Sequence, residues 1–250
     1  MDLRERPSRD FVRHPWETAR SSFFARLVER RPDGSAPRIL DVGSGDTWFA
    51  AELAARLPGA RIRCWDRSYT PELIASLAAA APEGVELSAA RPAGSFDWLI
   101  LLDVLEHVED DRGFLRELVG ANLAPGGRLL VSVPAWPSLF GRRDLGMGHL
   151  RRYSRRACHG LLAGAGLRIR ESGGLFHSLL PLRLASVWGD RMRRRSGPRD
   201  ALTLEWRHGP ASARWVHRWL LLDAGLGRVA SRLRLDCPGL SCWALCERSR

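Results

Sequence analysis

Apolar positions along the chain switch repeatedly between two rhythms. Short apolar or alternating runs, as buried strands have, are separated by stretches with helical spacing. Ile39, Leu40 and Val42 make the first run, over 38–42, and Gly43-Ser44-Gly45 breaks it. Helical spacing follows over 46–57. Arg61–Trp65 alternates as a second strand and ends at Asp66. Pro71 to Ala81 reads as a helix with proline in its first turn. Val85–Ser88 is a weak third strand and Phe96–Leu102 a strongly apolar fourth. Asp111 to Ala124 is helical, with Phe114, Leu115, Leu118 and Val119 on one face. Pro125-Gly126-Gly127 reads as a turn before a fifth strand, Arg128–Val133. Ser154 to Ala165 is a helix with Ser154 as N-cap. Leu167–Glu171 and Leu240–Arg248 complete the strands. Such alternation predicts an α/β fold, a mostly parallel sheet with helices on both faces.

Two stretches depart from it. Residues 8–31 carry Val12, Trp16, Phe23, Leu27 and Val28 at helical spacing around a start signal at Pro15. This helix either caps the domain, anchored by Trp16, or forms a lid with His14, Trp16 or Arg20 facing a pocket. Residues 32–37 form a loop. The stretch 175–238 holds a basic run, Arg191-Met192-Arg193-Arg194-Arg195, expected in a surface loop. It also holds an apolar stripe, Trp215, Trp219, Leu222, Leu226, Val229 and Leu233, with Arg214, Arg218, Arg228 and Arg232 off it. That stripe is expected to pack on the sheet as a helical lid; a peripheral membrane contact and a dimer face are the alternatives. The chain thus reads as one domain, 1–250: a cap (1–35), a core (36–174), a helical insertion (175–238) and a last strand (239–250).

Composition changes this picture little. Of 250 residues, 45% are hydrophobic and 27% charged, as in soluble globular proteins. No apolar run approaches the ~20 residues that span a bilayer, and Met1–Arg6 lacks the apolar core of a secretion signal. A cytoplasmic location is expected. Net charge is +11. All 39 basic residues are arginine and Asn122 is the single asparagine, as GC-rich codon usage would produce. No base-reading motif accompanies the charge, so no nucleic-acid partner is expected. The five cysteines, Cys64, Cys158, Cys237, Cys242 and Cys246, are expected as reduced thiols; the last three match no zinc spacing. Oligomeric state is left open.

A strand, a glycine turn and a helix N-terminus in succession make a cofactor cradle. A dinucleotide site wants a third glycine where Trp48 stands, and a phosphate-binding P-loop needs a lysine the chain lacks. Asp41-x-Gly43-x-Gly45 resembles motif I of the class I S-adenosylmethionine (SAM)-dependent methyltransferases, with Thr47 where that family usually has another glycine. Asp66 after the second strand, Phe96-Asp97 with Leu101–Val108, and Leu123–Val131 resemble the family's next motifs, in order. The resemblance covers about 38–133. It implies a Rossmann-like seven-stranded sheet with an antiparallel last strand, and SAM as cofactor. It assigns Asp41, Gly43, Ser44 and Gly45 to the methionine part of SAM, Asp66 to the ribose, Arg67 to the adenine edge, and Asp103 and Val104 to the sulfonium. Trp16 is assigned to the cofactor from the cap. Ala89-Ala90-Arg91 stands where many relatives carry an acid for the adenine. Asp103-x-x-Glu106-His107 also resembles the E-x-x-E-H of ubiquinone-type O-methyltransferases, where a divalent metal is implied. Aspartate shortens the reach there, so Glu106 is taken as a fold support and no metal ligand is assigned.

Pro134–Phe140, Asp144 and Gly148–Tyr153 resemble a bacterial methyltransferase subgroup often read as modifying small molecules or glycans. His107 and His149 follow the fourth and fifth strands, where open α/β sheets bind ligands, and are the candidate bases. Trp136, Arg152 and Tyr153 are the candidate acceptor-binding residues. The expected function is methyl transfer from SAM to a small-molecule acceptor, at oxygen, in a bacterial biosynthetic pathway. A lipid-linked or glycan acceptor at a membrane surface is the alternative. A SAM-fold binding protein without catalysis is the alternative from another class, motivated by Thr47 and the missing acid.

Overall fold

A computed structural model describes residues 12–29, 36–193, 197, 206–233, 235 and 237–248. Its elements are α1 (Pro15–Glu29), β1 (Arg38–Val42), α2 (Trp48–Arg56), β2 (Arg61–Trp65), α3 (Pro71–Ala78), β3 (Val85–Ser88), β4 (Phe96–Leu102), α4 (Asp111–Asn122), β5 (Leu123–Pro134), α5 (Arg142–Gly146), α6 (Arg155–Gly164), β6 (Leu167–Leu175), α7 (Leu180–Met192), α8 (Pro210–Arg232) and β7 (Ser241–Arg248). The strands form one seven-stranded sheet in the order β3-β2-β1-β4-β5-β7-β6. β1 to β5 pair in parallel; β7 inserts antiparallel between β5 and β6. Strand order reverses between β1 and β4, so a crevice opens at their carboxyl ends, where α/β sheets bind ligands.

The apolar runs divide between the two faces of the sheet. Ile39, Ile62, Ile100 and Trp243 pack with Phe24 of α1, Leu53 of α2 and Leu220 of α8. Leu40, Leu99, Leu101 and Leu129 pack on the other face with Leu115 and Leu118 of α4 and Leu162 of α6. Ser154 caps α6 by accepting from Ala157 N–H at 3.1 Å. Cys64, Cys158 and Cys246 are buried, and all five cysteines are free thiols.

Several expectations need correction. β5 begins at Leu123 and takes in Pro125-Gly126-Gly127, with a register shift between Phe96 and Trp98 on β4. β6 runs on to Leu175, because Gly173 and Gly174 leave room for the Trp243 ring and the backbone of Gly239. Arg191 and Met192 end α7 instead of lying in a loop. Arg194 and Arg195, residues 1–11 of the cap and residues 32–35 of the loop after it lie outside the described residues.

The largest correction concerns α8. Its stripe of large apolar residues does not pack on the sheet: Trp215 and Leu226 are 69% and 72% exposed. The buried face is Ala213, Leu220, Ala224 and Gly227. Small residues let α8 lie close against α1 and β6. Polar anchors then set its rotation. Asp223 accepts from His177 and Ser178 N–H at 2.8 and 3.0 Å, and Arg228 makes a two-pronged ion pair with Glu171. Thr18 of α1 and His217 of α8 share a 2.8 Å hydrogen bond.

Candidate active site

The turn after β1 is built on three left-handed residues. Gly43 (φ 67°), Gly45 (φ 56°) and Thr47 (φ 64°) all have positive φ. A Cβ on Gly43 would stand 2.8 Å from Cγ2 of Val104, so side chains are excluded there. Thr47 takes up the backbone shape that suits the glycine of its relatives, and α2 starts directly after it at Trp48. Asp66 holds the turn from β2: its Oδ2 accepts from Gly45 N–H at 3.1 Å, and its Oδ1 from Ser68 N–H at 2.9 Å. Ser44 Oγ meets the Tyr69 hydroxyl at 2.8 Å.

The groups around this turn retain binding capacity. Asp41 is buried at the end of β1 and its Oδ2 has no hydrogen-bond partner. Burial, reinforced by the nearby Asp66 and Asp46 carboxylates, raises its pKa to about 7. Asp103, with φ 56°, accepts from Ser132 Oγ at 3.2 Å and pairs with Arg20. α1 lies across the opening. Arg13 pairs with Asp46 and stands over the Trp48 ring at 4.5 Å; Arg20 stands over the Trp16 ring at 4.9 Å. The cleft is lined by Arg13, Arg20, Asp41, Gly43, Ser44 and Asp46, among others. From this helix Arg13, Glu17, Arg20 and Ser21 line the cleft, and Trp16, expected there from the sequence, is not among the lining residues. Nothing in the sequence pattern singled out Arg13 for this place.

A second cluster stands at the end of β4. The 3-10 turn Leu105–His107 carries Glu106, which is fully buried, with neither carboxylate oxygen hydrogen-bonded. Burial raises its pKa to about 8, against the pull of Arg20 and Arg152. His149 arrives from the loop after α5, its Nε2 at 4.0 Å from Glu106 Oε1. The His107 and His149 rings meet edge to face, centroids 4.8 Å apart. His107 Nδ1 lies 3.1 Å from the carbonyl of Gly148. Burial, then the neighbouring His149, lowers the His107 pKa to about 4, so its imidazole is neutral at pH 7.

The segment 149–153 braces this cluster. Leu150 N–H donates to the Glu106 carbonyl at 2.8 Å, Arg151 to the Glu109 carbonyl at 2.8 Å, and the Tyr153 hydroxyl lies 3.0 Å from the Leu105 carbonyl and 2.7 Å from Asp111 Oδ2. Beneath it, fully buried Asp144 accepts from Arg152 at 2.7 Å, Arg183 at 2.6 Å and Gly141 N–H at 2.9 Å, and holds His149 Nδ1 at 3.2 Å. Burial opposes ionisation of Asp144, but His149, Arg152 and Arg183 prevail and hold its pKa down to about 2.

Two candidate acceptor residues are corrected here. Arg152 is buried between Asp144 and the Ala135 carbonyl, and Tyr153 is buried under the Leu105 turn. Both build the brace, with their polar atoms bonded within the protein. Trp136 is 41% exposed, at φ 65°, with its indole N–H on the Gly239 carbonyl at 2.9 Å, so its ring is fixed and accessible. Arg67 is exposed at the rim, near enough for its charge to act on His107. Ala89 and Ala90 offer carbonyls to Trp65 and Ser88, while Arg91 turns away to Asn122 and Glu117.

The sheet order, the glycine turn and the acid after β2 together define a class I SAM-dependent methyltransferase. A family described as "Methyltransferase domain" matches residues 14–172, and the chain belongs to it. A curated ubiquinone biosynthesis O-methyltransferase from Xanthomonas axonopodis pv. citri is 30% identical over 173 residues, 60% of this chain and 70% of the relative. Its counterpart from Xanthomonas oryzae is 32% identical over 146 residues, 53% of this chain; the chain spans only 58% of that relative. Among solved structures, the cyclase SpnF aligns with TM-score 0.57 at 19% identity over 98% of this chain and 85% of its own. The N-methyltransferase NodS from Bradyrhizobium japonicum, in complex with S-adenosylhomocysteine, aligns with TM-score 0.50 at 19% identity over 68% and 84%. These two likenesses speak for the fold alone.

SAM is the cofactor, and the cleft fits it. The unpartnered oxygen of Asp41 suits the ammonium of its methionine part, Arg13 and Arg20 suit the carboxylate, and Asp66 keeps acceptor capacity for ribose hydroxyls.

Proposed function

We propose that the chain methylates an oxygen of a small-molecule acceptor bound against Trp136 and the Glu106–His107–His149 cluster. The observation that carries this reading is the placement of that cluster at the end of β4, next to Asp103 and Val104. Bound SAM supplies a methyl group on a sulfonium: the S–CH3 bond breaks as the O–CH3 bond forms, leaving S-adenosylhomocysteine and a proton from the acceptor hydroxyl. Most of what the protein contributes is alignment of that oxygen with the methyl carbon. His107, which burial keeps neutral, and His149 are the groups placed to take the proton.

Calorimetry with SAM tests the cofactor part, and Asp66→Ala should weaken binding. Incubation with labelled SAM and hydroxylated acceptors tests the rest; because the curated relatives are named for ubiquinone biosynthesis, its hydroxylated precursors are the first to try. SAM binding without transfer to any acceptor would leave a non-catalytic binding protein.

A more specific version, that the acceptor is drawn from a membrane, is favoured by the exposed large apolar residues of α7 and α8. Trp188, Trp215, Leu222 and Leu226 are 64–72% exposed, and Trp215 and Trp219 stack with rings 8° from parallel. Arg214 and Arg218, next to these tryptophans in the chain, are exposed as well. Apolar residues rimmed by arginine, in a chain of net charge +11, suit the headgroup zone of an anionic bilayer. Among the described residues no helix is long and apolar enough to cross a membrane. Co-sedimentation with phosphatidylserine-containing vesicles should retain the chain and lose the Trp215→Ser/Trp219→Ser/Leu226→Ser variant. No sedimentation at low salt, or a dimer that buries this face, would end the membrane version.

A further inference from the structure

We propose that the groove between α1 and α8 binds an apolar carboxylic acid, with Arg214 and Arg218 holding its acid head, and that this ligand competes with the cofactor for Arg13. The groove has a volume of about 770 Å3, room for a drug-sized molecule. Among the described residues, none from the ends of β4 and β5 lines it. It is therefore separate from the place proposed for the methyl acceptor.

Bonds between its walls hold the groove in shape. Thr18 of α1 and His217 of α8 both line it and share the 2.8 Å hydrogen bond. Trp206 N–H donates to the Val12 carbonyl at 2.7 Å, and its indole N–H donates to Ser212 Oγ at 2.8 Å. The approach to α1 and the first turn of α8 are thereby tied together. A space that is already formed costs an entering ligand less ordering of the protein.

The lining selects the class of ligand. Val12, Trp48, Pro210 and Ala213 are apolar, and Trp48 is 43% exposed. The neutral polar side chains are Thr18 and His217, which bond to each other. A sugar or a nucleotide would give up hydrogen bonds to water there without replacement. The charged lining residues are Arg13, Arg214 and Arg218, with no acid among the described ones. Pro210, Arg214 and Arg218 step by four along α8 and so share one face. Arg214 and Arg218 are exposed, and neither is paired with an acid among the described residues. A guanidinium suits a carboxylate because two parallel N–H groups match its two oxygens. An apolar body with one acidic head meets both parts of this lining. Trp215 and Trp219, on the outer face of α8, are not part of it.

Arg13 and Trp48 line both the groove and the cofactor cleft, so the two spaces adjoin there. Arg13 stands over the Trp48 ring at 4.5 Å, donates to Glu17 at 3.1 Å and pairs with Asp46. It is also placed for the carboxylate of the cofactor's methionine part. One guanidinium with two acids already beside it does not serve two further carboxylates equally well. An acid in the groove therefore lowers cofactor affinity, and the cofactor lowers the affinity of the acid by the same factor. This competition rests on the cofactor lying in the cleft; binding in the groove does not.

The probe is sodium naphthoate, titrated into the full chain by calorimetry. One equivalent per chain is expected. Naphthalenemethanol, which lacks the charge, and acetate, which lacks the apolar body, should each bind at least ~10-fold more weakly. Arg214→Gln/Arg218→Gln should weaken naphthoate at least ~10-fold. It should leave S-adenosylhomocysteine binding unchanged, since neither arginine lines the cofactor cleft. Trp215→Ser/Trp219→Ser/Leu226→Ser, on the outer face, should bind naphthoate as the wild type does. Circular dichroism checks that each variant is folded. Saturating naphthoate should weaken S-adenosylhomocysteine binding ~5-fold or more, up to a limit, with the same factor in the reverse titration. No naphthoate binding, equal binding of the neutral analogue, indifference to the double arginine variant, or loss in the outer-face variant would overturn the groove site. Exclusion of S-adenosylhomocysteine without limit would place naphthoate in the cofactor cleft and overturn it as well. Unchanged affinity for S-adenosylhomocysteine would overturn the competition for Arg13.

Discussion

Two fully buried carboxylates stand on either side of His149, and the protein treats them in opposite ways. Asp144 is saturated: two guanidiniums, a backbone N–H and the His149 ring surround it. Its pKa is held down to about 2. Glu106, in sight of the same ring, has no hydrogen bond to either oxygen, and its pKa rises to about 8. Neither side chain touches solvent, but Glu106 lies deeper; desolvation raises both acids, and at Asp144 the charges and donors that reach it overcome that rise. The brace beneath the site spends its charges on itself. The face above it, with Asp41 as its second incompletely paired acid, keeps capacity for molecules from outside.

The comparison breaks first at Asp144. Asp144→Ala leaves Arg152 and Arg183 buried without their counter-charge and should cost ~3–5 kcal/mol of folding stability, read by urea denaturation. A loss below ~1 kcal/mol would mean that water replaces the aspartate and that the brace is not a brace.

Next comes Asp66, which divides its oxygens between the turn and the crevice. Removing a charged acceptor costs ~1.5–3 kcal/mol, so Asp66→Ala should weaken SAM binding ~10- to 100-fold in calorimetry. Unchanged affinity would place the ribose elsewhere.

Asp41 sharpens the contrast through pH. Its carboxyl is raised from 3.8 to about 7 in the fold, so the folded chain binds the proton more tightly than the unfolded chain does. The stability from that proton is full below the unfolded value and is lost as pH rises toward the folded value. Between 3.8 and about 7 the wild type should therefore lose stability relative to Asp41→Asn, whose side chain carries no titrating proton. Thermal melts of the two chains across that range, without SAM, give the difference; parallel curves would show that the fold does not tighten proton binding at Asp41.

Thr47 offers a smaller effect of the same kind. A side chain at φ 64° carries backbone strain of ~1–2 kcal/mol, partly offset by the freedom glycine has when unfolded. Thr47→Gly should raise the melting temperature slightly and leave the fold intact. The smallest effect belongs to α8, where Trp219→Ser should change stability by no more than ~0.5 kcal/mol because the ring is half exposed. A large loss there would mean that the outer face of α8 is structural after all.

Most of the parallel core was legible in the chain. The runs Ile39–Val42, Arg61–Trp65 and Phe96–Leu102 are apolar or alternating over lengths that only strands use, and each is closed by a glycine, an acid or a turn. Those local signals survive folding because the neighbouring strands bury the same residues that the pattern marks. Asp41, Gly43, Gly45 and Asp66 were legible for a related reason: a left-handed turn with an acid at each flank is a local object. Arg152 and Tyr153 were not. Polar residues beside a crevice look the same in the sequence whether they point into it or bond the backbone behind it, and only the position of Leu105 and Asp144 tells them apart.

The sequence by itself determined the alternation of strands and helices, the glycine turn, the acid beside it and the two histidines after β4 and β5, because each follows from the chemistry of neighbouring residues along the chain. Tertiary structure alone decided what the long helix shows to solvent. The stripe Trp215, Trp219, Leu222, Leu226 and the stripe Ala213, Leu220, Ala224, Gly227 lie on one helix with similar spacing. Hydrophobicity favours burying the first. Close approach to α1 and β6, with Asp223 and Arg228 bonded to groups far away in sequence, buries the second. The same holds for Glu106 and Asp144: both are acids at the edge of a helical turn, and only the donors brought by other segments make one a strut and leave the other open.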